Sequence, residues 1–303
     1  MRFLFGNSRS VQDRKETPET GDQAPAEATP EKRPAVSYAY LGDGVGLALT
    51  HRNHKILVFT KDFGIAPHII ANGIWEPNVE QAILRLIEPG SIVVEVGCNI
   101  GYHTLAMAQT VGDAGHVYGF EANPRLFSLL RWSVDLNSLL PRTTLFNHAV
   151  TDKVGEVRFD YEPIAAGGGH VVTKAHSEST NAFTVKSEPL DRTLTGLRSA
   201  DLIRMDAEGC EPLIIAGAVE LIGRSPNLRI VTEWSPIMMR HHSSVANFVA
   251  LLCGFGFLAW RIDHDSQLLP TPLEQLEALP HCELVFSRDD LTPPPPDPAQ
   301  SSR

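Results

Sequence analysis

The chain has 303 residues, 43% of them hydrophobic, and a formal net charge of −10 with no long Lys/Arg run, so it has ample material for a core and a field that repels nucleic acid. Its four cysteines (Cys98, Cys210, Cys253 and Cys282) are far apart and form no CxxC pair, which argues against a zinc ribbon or a disulfide framework and suits a reducing cytoplasm. The opening MRFLFGNSRS holds only a short apolar run, and nowhere do ~18 apolar residues follow one another, so neither a secretory leader nor a membrane span is expected.

Residues 1–35 are rich in Pro, Ala, Glu and Thr with little to bury, and read as a disordered tail. Residues 36–77 alternate short apolar runs with Gly, Asp and Asn, which predicts a small β-rich, hairpin-forming cap; His51 and His54, in the turn-like HRNH, read as surface histidines rather than metal ligands. From Asn78 the period changes. NVEQAILRLI predicts a helix over 78–87, stopped by Pro89-Gly90, and the strand SIVVEVG follows. A helix is expected over about 101–109, a strand over 116–121, a helix over 124–137 and a strand, TTLFNHAV, over 143–150.

The alternation pauses between Thr151 and Thr195, where VGEVRFDY and AFTVKSEPL read as extra extended pieces around GGGH (167–170), a segment suited to a loop or a mobile lid. It resumes with DLIRMD (201–206), a helix through EPLIIAGAVELI, the strand LRIVTEW (228–234), a helix over 245–255, and two late strands, GFLAWRID and HCELVFSR. The expected architecture is a doubly wound α/β fold, Rossmann-like, with a mostly parallel seven-stranded sheet whose last strand runs antiparallel. The folded domain spans 78–288, and LTPPPPDPAQSSR closes the chain as a proline-rich tail over 289–303.

Ligands of such sheets bind beyond the carboxyl ends of the strands, so the strand exits carry the functional information. At the first exit, EVGCNIG, Gly97 and Gly101 permit a tight turn into a helix with free N–H groups. Glu121 ends the next strand 20 residues after Gly101, where a nucleotide-binding sheet places an acid on ribose hydroxyls. Asn99 occupies the place of the middle glycine that a pyrophosphate requires. Glu95, just upstream, would repel phosphate but pair with a cation. S-adenosylmethionine, with an ammonium, a sulfonium and no phosphate, matches this loop; the alternatives are an NAD(P)-dependent oxidoreductase and a non-catalytic cofactor-binding protein.

Three blocks, VVEVGCNIGYHTL, GHVYGFEANPRLFSLL and DLIRMDAEGCEPLIIAGA, resemble the FkbM-type S-adenosylmethionine-dependent methyltransferases over about Ile92 to Arg288. The third is the most specific, because the family's strand-D-x-E-G-x-E-helix pattern is matched by Asp206, Glu208, Gly209 and Glu211. The resemblance implies O-methylation of a hydroxyl on a small molecule, sugar or glycan. It implies that Glu95, Gly97, Asn99, Gly101 and Thr104 surround the methionine part of the cofactor, that Glu121 grips the ribose, and that Asn123 and His148-Ala149-Val150 border the adenine. Asp206 would face the sulfonium and Glu208 the acceptor. The candidate bases, in order, are Glu208, Asp206, His103 and Glu233.

Overall fold

A computed structural model describes residues 37–292 apart from residue 163 and residues 173–181. The expected tails over 1–35 and, beyond residue 292, the proline-rich terminus lie outside the described residues. The cap begins with three antiparallel strands, β1 (Tyr38–Gly42), β2 (Val45–Leu49) and β3 (Lys55–Phe59), paired in that order. A helix not anticipated from the sequence follows, α1 (Ala66–Asn72), then α2 (Pro77–Arg85). The Asp62 carboxylate starts α1 by accepting the backbone N–H groups of Gly64, Ile65 and Ala66, satisfying donors that a helix N-terminus leaves free. His54 departs from its expected place on the surface: it is buried beneath the cap, its N–H donating to Thr50 Oγ1.

Helix α2 buries Val79, Ala82 and Ile83, at the spacing of one helical face. The main sheet then opens with β4 (Ile92–Val96), α3 (Tyr102–Val111), β5 (His116–Phe120), α4 (Pro124–Leu136) and β6 (Thr143–Phe146). The single strand expected over 143–150 is in fact two, because β7 (Ala149–Val150) leaves the main sheet and pairs with a later strand. A second sheet follows: β8 (Gly155–Glu162), β9 (Ala165–Val172) and β10 (Phe183–Glu188), in the order β7-β10-β8-β9. GGGH is therefore part of strand β9 rather than a loop.

After α5 (Leu190–Thr193) and β11 (Leu202–Met205), the expected long helix is broken into α6 (Glu211–Ala216) and α7 (Val219–Gly223). The break is at Gly217, where a Cβ would lie 2.3 Å from the carbonyl oxygen of Thr151. The chain continues through β12 (Arg229–Trp234), α8 (Pro236–Met239), α9 (Val245–Gly254), β13 (Leu258–Ile262), β14 (Leu268–Thr271) and β15 (Cys282–Ser287).

The main sheet has the order β14-β13-β15-β12-β11-β4-β5-β6. Strands β12, β11, β4, β5 and β6 are parallel, and β15 runs antiparallel between β12 and β13. The seven anticipated strands are present, and β14 adds an eighth as a short hairpin partner on the β13 edge. Central strands are buried on both faces, as a two-sided covering of helices demands. Among the described residues no helix is long and apolar enough to cross a membrane.

Candidate active site

The order of the main sheet reverses between β4 and β11: the chain proceeds outward from β4 to β6, then returns to β11 and builds the other way. Such a switch point leaves a crevice above the strand ends. Here the two loops touch. Gly97 has φ +86°, and a Cβ on it would lie 1.8 Å from the carbonyl oxygen of Asp206, so this glycine is required by the meeting of the two strand exits.

Asn99 is also left-handed, at φ +52°, a conformation asparagine tolerates; its side-chain oxygen accepts the Ile100 N–H at 2.8 Å. Its own N–H donates to Glu121 Oε2 at 2.7 Å, and the Asn123 N–H donates to Glu121 Oε1 at 2.7 Å. Burial pushes the Glu121 carboxyl up to about 7 even though these two N–H groups pull it down. Glu121, Phe120, Leu126, His148, Ala149 and Val150 line one side of a cavity of about 610 Å³; Asn99, Asp206 and Ala207 line the other, with Gly169 and Val171 of β9 over it.

Several residues expected around the methionine lie elsewhere. Glu95 is wholly buried under the loop, its Oε2 accepting the Thr104 hydroxyl at 2.5 Å and its Oε1 3.6 Å from Arg204. Glu95 and Thr104 thus hold the loop from below and do not line the cavity, because β4 register sets Glu95 directly beside Arg204 of β11. Gly101 packs on Leu130 and is not among the residues lining the cavity; nor is Asn123, expected to border the adenine, whose side chain caps α4 by accepting the Arg125 N–H.

A smaller cavity of about 300 Å³ adjoins on the other side of the loop, lined by Trp75, Gly97, Asn99, Tyr102, His103, Arg204 and Asp206 among others. Arg204 was missed in the sequence, although a cation inside the buried run DLIRMD was a visible signal. Its guanidinium donates to Asp206 Oδ2 at 2.9 Å and to the Gly97 carbonyl at 3.2 Å. Glu76, also missed, holds His103 Nε2 at 3.2 Å; burial would raise its carboxyl, but His103 and Arg204 together hold it below the ordinary range. This contact holds His103 on Glu76, in the wall of the smaller cavity that Asp206 also lines.

Asp206, Glu208 and Glu233 converge at the exits of β11 and β12, one carboxylate oxygen from each lying within 4.8 Å of the others. Burial, then Asp206 and Glu211, push Glu208 up to about 7; Glu208 is left-handed at φ +52°, so its side chain leaves the loop in an uncommon direction. Glu211 accepts the Ala207 N–H at 2.8 Å and is raised to about 7 by burial. Glu233 is held far above the carboxylate range by burial and by its acidic neighbours. A third cavity, of about 810 Å³, is lined by Glu208, Met238, His170, Val171, Val172, His241 and His242. Val171 borders both this space and the cavity of Glu121. Cys98 and Cys210 are buried free thiols.

A mostly parallel, Rossmann-like sheet with an antiparallel β15 inserted before its edge thus frames an acid-lined cavity at the switch point. The chain belongs to the FkbM methyltransferase family: residues 95–258 match the methyltransferase FkbM domain. It is 28% identical over 187 residues to 2-O-methyltransferase NoeI of Sinorhizobium fredii, covering 54% of this chain and 74% of that protein. It is 27% identical over 159 residues to hexuronic acid methyltransferase AglP of Haloferax volcanii, covering 50% and 61%. An O-methyltransferase structure from Bacillus cereus, in complex with SAH, aligns at a TM-score of 0.43 and 13% identity over 73% of this chain and 84% of that one. The protein is therefore an S-adenosylmethionine-dependent methyltransferase, and the oxidoreductase alternative falls.

Proposed function

We propose that the enzyme methylates a hydroxyl of a sugar or glycan, or of a similarly polar small molecule, across the boundary between the cavities of Asp206 and Glu208. The observation that carries this reading is that Asp206 lines the cofactor cavity while Glu208, two residues on, lines the neighbouring one, with Val171 bordering both. The larger space sets three imidazoles and a carboxylate among the apolar Val171, Val172 and Met238, a few placed polar groups with which to orient a hydroxylated acceptor. The name of one relative specifies an oxygen acceptor and that of the other a sugar acid.

The adenosine end of the cofactor fits the cavity of Phe120, Glu121, His148 and Ala149, with Glu121 on the ribose hydroxyls; a carboxylate accepting two N–H groups retains lone pairs for them. The amino-acid end fits the smaller cavity, where Arg204 and the uncapped start of α3 suit a carboxylate and Asp206 suits the ammonium. When bound, the cofactor supplies an activated methyl group. The chain's own task is to align the acceptor oxygen and take its proton, and Glu208 is the candidate base that opens onto the acceptor space. Asp206 holds Arg204, and Glu233 lies deeper, its Oε1 3.6 Å from His281. We place the cap at 36–77, the catalytic domain at 78–288 and the enzyme in a cytoplasm.

Labelled S-adenosylmethionine offered with a panel of glycans and hydroxylated small molecules is expected to label a hydroxylated acceptor. Glu208→Gln should cut turnover by about 10²- to 10⁴-fold, with S-adenosylhomocysteine affinity nearly unchanged. Wild-type turnover in Glu208→Gln would remove Glu208 as base. Labelling confined to nitrogen acceptors or nucleic acid would overturn the acceptor assignment.

A further inference from the structure

We propose that Asp206, Glu208 and Glu233 bind a divalent cation of the oxygen-seeking kind, Mg2+, Mn2+ or Ca2+, at the joint between the cofactor and acceptor cavities. Each contributes one carboxylate oxygen, and the three oxygens lie within 4.8 Å of one another. Ligands on opposite sides of one ion are separated by twice the metal–oxygen distance, about 4.0–4.2 Å for Mg2+ and about 4.6–5.2 Å for Ca2+, so oxygens no more than 4.8 Å apart can meet one Ca2+ as they stand and a smaller ion after a shift of a few tenths of an ångström. An all-carboxylate set selects hard cations over zinc or copper.

Clusters of acids occur without ions, and a second observation separates this one. Glu233 Oε2 is buried and has no hydrogen-bond partner, although its side chain is only 10% exposed. A buried carboxylate oxygen left unpaired costs more than the contact it forgoes, and a cation within reach of the other two acids removes that cost. The register adds to the imbalance. Glu233 of β12 lies directly opposite Glu283 of β15, a like-charge pair inside the sheet. The charges available to offset this row are Arg204, already within 4.0 Å of Asp206, Glu95 and Glu76, and the exposed His281 of the β15 approach, 3.6 Å from Glu233 Oε1. The exposed group Asp263, His264 and Asp265 has no such buried atom and carries no proposal.

The site stands on these residues alone, and only its use in the reaction rests on the methyltransferase reading. Glu208, engaged through one oxygen, keeps its second oxygen facing the acceptor cavity. A bound cation beside it would hold an acceptor hydroxyl and acidify it.

Manganese titration of the full chain, followed by the electron paramagnetic resonance signal of free Mn2+ without cofactor, tests the proposal. One tight Mn2+ per chain is expected, displaced by Mg2+ or Ca2+, and weakened roughly 10- to 100-fold or more in E233Q and in E208Q. D265N should bind as the wild type does, which separates the buried site from the exposed cluster. Saturating Mn2+ should raise the melting temperature of the wild type and leave that of E233Q unmoved. If E233Q does not fold, E208Q, at the cavity edge, carries the comparison. No Mn2+ bound by folded wild-type protein, or wild-type affinity retained in both E208Q and E233Q, overturns the site. Calorimetry with S-adenosylhomocysteine in excess chelator reports on the cofactor reading separately, because adenosine binding at Glu121 needs no cation.

Discussion

The carboxylate of Glu121 is engaged before any ligand arrives, with one oxygen on the Asn99 N–H and the other on the Asn123 N–H. It therefore serves as a brace between the first loop and α4, and in the proposed cofactor complex it is also the ribose acceptor, a role its ionisation would set. Its pKa stands at about 7 against an ordinary 4.5, so the folded protein holds a proton there through a range in which the unfolded chain has lost it. Raising the pH from 4.5 towards 7 removes that favourable protonation and should lower the stability of the cofactor-free protein. Ribose hydroxyls donate to the ionised form, so cofactor affinity should move the other way, strengthening by ~5- to 10-fold between about pH 6 and about pH 8. Calorimetry with S-adenosylhomocysteine at the two pH values measures it, and Glu121→Gln should flatten the dependence. Glu121→Ala should weaken binding by about 1.5–3 kcal/mol, as for a lost hydrogen bond to a charged group. Glu95 is the opposite case. The charge logic that placed it on the cofactor was sound, but its cross-strand neighbour is Arg204, and an ion pair inside the sheet uses the charge there.

At the scale of elements, α1 illustrates a start signal that composition hides. DFGIAP reads as loop because Phe63 and Gly64 interrupt any helical period, yet Asp62 reaches three backbone N–H groups ahead of a helix that carries Pro67 in its first turn. Asp62→Ala should cost about 1–2 kcal/mol in chemical denaturation, more than a surface substitution, because those donors lose their acceptor. The same scale explains the split of TTLFNHAV. Phe146 ends the main-sheet pairing, the exposed Asn147 donates to the Glu121 and Ala122 carbonyls, and Ala149-Val150 are free to join β10. That turn brings His148 and Ala149 into the wall of the cavity that Glu121 lines.

Over the whole molecule, the two sheets differ in how they are held. Strands β4, β11 and β12 are buried on both faces at the centre of eight, whereas β9 pairs with β8 alone at the edge of four, with Gly169 and Val171 over the cavity. Hydrogen exchange should therefore be fast in 168–172 and slow in the central strands. Adding S-adenosylhomocysteine should slow exchange in 168–172 by several-fold or more while leaving β12 unchanged. Equal exchange with and without the ligand would show that β9 does not cover the cofactor.

The period of the apolar residues, and the acids and glycines at strand exits, were local properties, so the alternation of strand and helix, the cofactor class and the position of Glu121, Asp206 and Glu208 at strand exits were legible in the chain itself. Each is written within one strand-turn-helix unit. Which exits touch was not. That Glu95 faces Arg204, that Gly97 is a glycine because Asp206 crosses it, and that Glu233 meets Glu283 and joins Asp206 and Glu208 depend on the register between strands far apart in sequence. Register is settled by packing both faces of the sheet at once, and a single strand carries no record of it.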